Sequence, residues 1–342
     1  MRKILALNIF CIVLFLSCGV SQKNRSKSGI DFINDSLVVR YANTITSAEL
    51  KDALYIYASD EFEGREAGKP GEKKAVEYLK NYYISNNISP LQDNDNYFQK
   101  VPKAYLGKNI EDSENVLAYI KGSKKPDEYI VISAHLDHEG VRNGKIYNGA
   151  DDDGSGTVAI LEIAEAFKIA ENNGFSPKRS VVFFHATAEE KGLLGSKYFT
   201  DVEPIVPLKN IVANLNIDMI GRIDKKHEKN SNYIYLIGSD KISIELHNLS
   251  EEANSKYVGL DIDYTFNSDS DPNKFYSRSD HYNFAKHNIP VIFYFNGTHE
   301  DYHKPTDTPD KIEYELMEKR TKLIFYTAWE LANREDRISI GL

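Results

Sequence analysis

The sequence predicts an α/β fold: an open, mostly parallel mixed sheet flanked by helices on both faces, in a single domain. Three observations point there. Short, near-continuous apolar runs read as strands buried on both faces. Those runs alternate with segments of helical periodicity carrying charges on one side. No sharp change of composition and no internal repeat divides residues 115–335.

The elements follow in chain order. Met1, Arg2 and Lys3 form a basic start, and residues 4–16 are an apolar run of signal-peptide length, too short for a comfortable membrane span. Phe15-Leu-Ser-Cys18 resembles a lipobox. The expectation is therefore a signal peptide over 1–17, lipidation of Cys18 with membrane attachment through it, and an exported cell-envelope protein of the periplasm or outer membrane. Residues 18–42 are expected to form a flexible tether and residues 43–342 the folded domain. Helical periodicity covers 48–58 and 72–87, with a glycine-rich connector, 62–71, between them. Strands are expected near 115–120, 129–133, 180–184, 211–217, 233–237 and 291–295. Helices are expected over 156–171, 241–254, 281–287 and 313–333.

Composition narrows the chemistry. The formal charge of −9 argues against non-specific nucleic-acid binding. Cys11 and Cys18 are the only cysteines; Cys11 leaves with the signal peptide and Cys18 is the expected lipidated residue, so the expected folded part has no disulfide and no cysteine nucleophile. A metal there must be held by His, Asp and Glu.

One stretch, His299-Glu-Asp-Tyr-His303, spells the HExxH signature of helical zinc proteases. It follows an apolar strand and the turn signal Asn296-Gly297, and Pro305 comes two residues after the second histidine. A loop at a strand end is the better reading, and any ligand in it needs partners from elsewhere.

Those partners have natural places. In open α/β sheets, ligands bind beyond the carboxyl ends of the strands. The strand at 129–133 runs into Ala134-His135-Leu-Asp137-His138, where His135 is either a ligand or a structural histidine. Asn148-Gly-Ala-Asp151-Asp152-Asp153-Gly-Ser-Gly156 reads as a solvated acidic turn or as a backbone that brings one carboxylate to a cation. A calcium loop is excluded, because Glu162 falls inside a helix pattern. The strand at 180–184 leads to Glu189-Glu190, adjacent carboxylates that point different ways on an extended chain, so one can ligate while the other acts as a base. Asp218 stands among apolar residues after the strand at 211–217, and Asp301 and His303 follow the last strand. Four strand ends and the aspartate stretch at 148–156 thus offer, in order, His, Asp, Glu-Glu, Asp and His.

This set resembles the co-catalytic zinc aminopeptidases of peptidase family M28. The carriers are His135-Leu-Asp137, Gly149-Ala-Asp151-Asp-Asp-Gly-Ser-Gly156, Glu189-Glu190-Lys-Gly-Leu-Leu-Gly-Ser196, Asn216-Ile-Asp218-Met, Ser279-Asp280-His281 and Tyr302-His303-Lys-Pro-Thr-Asp307-Thr, spread over roughly residues 50–335. The resemblance implies a zinc-exopeptidase-like sheet and two Zn²⁺, in the bacterial lipoprotein form of the family. His135 and Asp218 match ligands of one zinc, Glu190 and His303 ligands of the other, and Asp151 the bridging carboxylate. Glu189 matches the general base and Asp137 the residue that orients His135. A cis peptide is implied after the bridging aspartate, at Asp151–Asp152. His299 and Glu300 are left outside the ligand set.

The implied reaction is release of N-terminal residues from peptides through a hydroxide shared by the two zincs, with Glu189 taking its proton. Tyr276 and Tyr294 are composition-based candidates for oxyanion stabilisation or a substrate pocket. Rival expectations are a carboxypeptidase or a glutaminyl cyclase of the same fold, and a non-catalytic binding lipoprotein. The loop around 270–281 has no cysteine pair to brace it, so the run 267–271 is expected to be mobile.

Overall fold

The computed structural model describes residues 35–93 and 96–341. The leader and Cys18 lie outside the described residues. The strands are β1 (Ser89–Pro90), β2 (Phe98–Val101), β3 (Ser113–Ile120), β4 (Lys125–His135), β5 (Gly140–Arg142), β6 (Lys145–Tyr147), β7 (Arg179–Ala186), β8 (Ile211–Ile217), β9 (Tyr233–Ile237), β10 (Asp261–Asp263) and β11 (Val291–Phe295). The helices are α1 (Asp35–Ala42), α2 (Ser47–Tyr57), α3 (Pro70–Ser85), α4 (Lys103–Leu106), α5 (Gly156–Asn172), α6 (Leu194–Lys197), α7 (Ile244–Ala253), α8 (His281–Ala285) and α9 (Tyr314–Asn333).

A nine-stranded mixed sheet runs in the order β1-β3-β7-β4-β8-β11-β9-β10, with β2 added to β3, while β5 and β6 form a separate hairpin. Its centre is parallel: β7, β4, β8 and β11 are neighbours and point the same way. β3 joins β7, and β9 joins β11, antiparallel. The register sets His135 beside Ala186, Ser133 beside Asn216 and Ile217 beside Tyr294. Four parallel strands therefore release their chains at one edge of the sheet.

Both faces are covered, as continuous apolar strands require. Every residue of β7, β8, β9 and β11 is buried. On one face Val131, Val182 and Phe184 pack with Phe199, Phe284 and Ile289. On the other, α5 and α9 lie against β4 and β7. The central strands also carry a polar seam: Asn214 Nδ2 donates to Ser133 Oγ (2.8 Å), Ser133 Oγ to Asn216 Oδ1 (2.6 Å), and Asn216 Nδ2 to Ser279 Oγ (2.8 Å). That seam ties the Ser279-Asp280 loop to the sheet, since a buried amide must be satisfied.

Two expectations need correction. Residues 35–42 are helical, with Val38, Tyr41 and Ala42 buried, because α1 has an apolar side to set against α5 and α9. The tether as expected thus runs too far. The run 267–271 is anchored without a disulfide: Gly238 N donates to Asn267 Oδ1 (2.7 Å), Asn267 Nδ2 to Asp240 (2.7 Å), and Phe275 N to Asp271 Oδ2 (3.0 Å).

Candidate metal centre

His135 is the last residue of β4, and its ring points along the sheet edge. Its Nδ1 lies 3.0 Å from the Asp137 carbonyl oxygen, which holds the ring with Nε2 forward. Nε2 then sits 3.1 Å from Asp152 Oδ1 and 3.7 Å from Asp218 Oδ1. The Asp137 carboxylate is 3.9 Å from the ring and instead accepts the backbone N–H of Glu189 (3.0 Å). Asp137 therefore acts on His135 through its main chain, and its side chain fixes the Glu189 backbone. Burial pushes the Asp137 carboxyl up to about 8.

On the other side of Asp152, its Oδ2 lies 3.0 Å from His303 Nε2. His303 Nε2 is 3.4 Å from Glu190 Oε2, and Glu190 Oε1 is 2.9 Å from His138 Nδ1. Glu139, paired with Arg142, stands behind His303, 3.9 Å from its Nδ1. Three overlapping groups result, His135–Asp152–Asp218, His138–Asp152–Glu190 and Glu139–Glu190–His303, each with donor atoms within 4.8 Å of one another. Asp152 is common to the first two.

The central carboxylate is therefore Asp152, and the expectation for Asp151 is corrected. Asp151 turns the other way: its Oδ1 accepts from Gly221 N (2.6 Å) and Ser155 Oγ (3.0 Å), and its Oδ2 faces His299 Nε2 at 3.1 Å. Asp153 turns a third way, with Oδ2 accepting from His135 N (3.1 Å) and Oδ1 from Met219 N (3.1 Å) and Gly156 N (2.9 Å). The cis peptide shifts with the assignment and lies at Asp152–Asp153. Gly149 sets this register. At φ +52° a side chain is disfavoured, and a Cβ there would come within 2.2 Å of Asp152 O and 2.5 Å of His138 Cγ. Beneath the loop, the Asp307 carboxylate accepts the N–H groups of Asp151 (3.0 Å) and Asp152 (3.1 Å).

Of the two histidines in the HExxH-like stretch, His303 reaches the cluster and His299 stays behind it on Asp151. The segment is a loop between β11 and α9, not a helix.

The second glutamate of the pair, Glu190, carries the cluster contacts, and Glu189 lies beside them. Desolvation raises the Glu189 carboxyl well above the ordinary range; His135 opposes the shift, and Asp218, Glu190 and Asp280 add to it. Asp280 is buried, takes the Ser196 hydroxyl on Oδ1, and has its own acidity weakened by burial to about 6.

Tyr294 is corrected as a site residue. It is fully buried, and its hydroxyl meets Ser250 Oγ (3.2 Å) under α7, because it sits on the face of β11 that packs against helices. Tyr276 is half-buried against His281 and Tyr282 with the Lys241 ammonium over its ring, and the carboxylates that bear on its hydroxyl are Asp269 and Asp240. The tyrosine that feels the cluster is Tyr302. It stacks on His303 at 3.9 Å, its hydroxyl accepts from Arg278 Nη2 (3.3 Å), and burial together with Asp152, Asp218 and Glu190 suppresses its ionisation. A tyrosine next to a histidine expected to ligate was the available sequence signal.

Arg65 was also missed, inside the stretch taken for a plain connector. It is fully buried and donates to four carbonyls: Leu136 (3.0 Å), Tyr57 (3.2 Å), Asn148 (2.7 Å) and Gly149 (2.9 Å). It thereby clamps the His135 and Asp152 loops together. A planar five-donor group suits that task, and no local pattern announces it.

The residues fit divalent cations. Asp152 Oδ2, Glu190 Oε1 and both ring nitrogens of His138 are buried without a hydrogen-bond partner, the state of donors aimed at a shared ion. Negative charge is concentrated there: although burial opposes it, Asp152 and Glu190 push the His303 imidazole up to about 10.

The family model for peptidase family M28 matches residues 115–328. The chain belongs to this family. It is 28% identical over 226 residues to leupeptin-inactivating enzyme 1 of Streptomyces exfoliatus, covering 60% of this chain and 46% of that one. The chain spans about half or less of the length of the first curated relatives it matches. The LapA aminopeptidase of Legionella pneumophila superposes with a TM-score of 0.68 at 22% identity, covering 90% of this chain and 77% of that one. A glutaminyl cyclase of Bacteroides thetaiotaomicron gives 0.62 at 15% identity, covering 83% and 98%. These likenesses at low identity establish the shared mixed α/β fold.

Proposed function

We propose that the chain is a metal-dependent exopeptidase that removes N-terminal residues from peptides, with two divalent cations, zinc by ligand type, and Glu189 as general base. The observation that carries this is the convergence on Asp152 of His135 and Asp218 from one side and Glu190 and His303 from the other. Membership in a peptidase family supports it, and so does the likeness to a yeast relative named as a probable aminopeptidase.

His135, Asp152 and Asp218 would hold one ion; Asp152, Glu190 and His303 would hold the other. Bound there, the pair supplies Lewis acidity toward a carbonyl oxygen and lowers the pKa of water. The chain's own groups do the rest. Glu189, positioned by the Asp137 carboxylate through its backbone N–H, accepts a proton from the attacking water and returns it to the departing amine. The desolvation and neighbouring carboxylates that raise its proton affinity suit it to that exchange. Asp218 and Glu190 offer negative charge to a substrate's free α-amine. Tyr302, beside His303, is the hydroxyl placed to steady the carbonyl oxygen. The leader supports an exported, lipid-anchored enzyme through its apolar run and the lipobox-like Cys18.

Turnover of aminoacyl-nitroanilides, abolished by chelator and restored by Zn²⁺, tests the reading. Glu189→Gln should lower kcat by about 10²–10⁴-fold while metal content stays at wild-type level. No turnover by zinc-loaded protein on any N-terminal residue refutes the aminopeptidase, and one ion per chain points instead to a cyclase.

A further inference from the structure

We infer that His138 is a fourth protein ligand of the cation on the Glu190–His303 side, making that site richer in donors than the His135–Asp218 side. The inference rests on the metal-dependent reading above and deepens it.

His138 is fully buried, and neither ring nitrogen has a hydrogen-bond partner. Its Nδ1 nevertheless lies 2.9 Å from Glu190 Oε1, an atom that also lacks a hydrogen-bond partner. The distance is short enough for a hydrogen bond, but the alignment is not that of one. Two donor atoms this close, neither bonded to the other, are arranged as neighbouring corners of a coordination shell. The remaining edges agree: His138 Nδ1 to Asp152 Oδ2 is 3.8 Å, His303 Nε2 to Asp152 Oδ2 is 3.0 Å, and His303 Nε2 to Glu190 Oε2 is 3.4 Å. Ligands on a tetrahedral ion with bonds of about 2.0–2.1 Å stand roughly 3.3 Å apart.

The ring is held for this position. Its backbone N–H reaches Arg65 O (3.3 Å), Gly149 leaves the space a side chain would take from its Cγ, and its edge meets the His303 ring at 5.8 Å between centroids. The opposite ion has His135, Asp152 and Asp218 only among these groups. A fuller shell near His303 would leave fewer open coordination positions there than on the His135 side.

Metal-free full-length protein is titrated with Zn²⁺ against a competing indicator, and with Co²⁺ followed by its visible absorption. His138→Ala and the ring-conserving His138→Phe should each weaken one of the two ions by at least 10-fold and alter the Co²⁺ spectrum, while the other ion binds within about threefold of wild type. In an Asp218→Ala background, His138→Phe should weaken the remaining ion by the same factor. Wild-type protein with ¹⁵N-labelled histidine supplies a readout independent of variant folding: zinc should shift a ring nitrogen of His135, His138 and His303. Shifts confined to His135 and His303, or His138 variants that take up both ions like wild type, overturn the inference and leave the functional reading standing. Failure of the wild-type protein to bind two ions overturns the functional reading itself.

Discussion

At the His135 end of the cluster the donors come from strand termini: His135 closes β4 and Asp218 follows β8, both within the buried edge of the sheet. At the His303 end they come from loops: His303 lies eight residues beyond β11 and its side chain is 36% exposed. The first arrangement inherits its precision from backbone hydrogen bonding between parallel strands. The second has to be built from side chains, and it is: Asp307 and His299 hold the aspartate loop that both halves share, and Glu139 backs His303. Where strands do not supply rigidity, buried charged groups do, which makes the loop half the more sensitive to mutation away from the cluster.

The largest expected effect breaks the two halves together. Asp152→Asn should weaken both ions by more than about 100-fold, because Asp152 faces both, whereas Asp151→Asn should stay within the 10–100-fold expected of a residue that only supports a ligand. Metal analysis after dialysis checks this, and equal losses in the two variants would return the central role to neither. Next in size is Arg65→Ala. It strands buried carbonyls and should remove about 3 kcal/mol of stability in denaturant unfolding, with Arg65→Lys recovering only part because it cannot fork across four acceptors. A loss under about 1 kcal/mol for Arg65→Ala would mean the loops hold themselves. The smallest effect separates two tyrosines. Tyr302→Phe should lower kcat with little change in stability. Tyr294→Phe should leave kinetics untouched and cost about 1 kcal/mol through its lost hydrogen bond under α7.

Much of the fold was legible in the chain. The six expected strands and the main helices appear within a few residues of their predicted bounds, because strands buried on both faces leave an unbroken apolar signature. The short edge strands β1, β2 and β10 and the β5–β6 hairpin were not visible; two to four residues carry no periodicity. At the site, His135, Glu190, Asp218 and His303 are brought together as the strand ends suggested.

The sequence by itself determined that metal-competent side chains would gather at one sheet edge, since parallel strands must release their loops on the same side. Only the tertiary structure decided which of three consecutive aspartates faces the cluster and that His138 turns inward. Those choices depend on where the backbone turns at Gly149 and on the carbonyls and N–H groups that Arg65 and Asp307 collect from distant segments. Contacts between segments 83 and 155 residues apart leave no trace in local spacing.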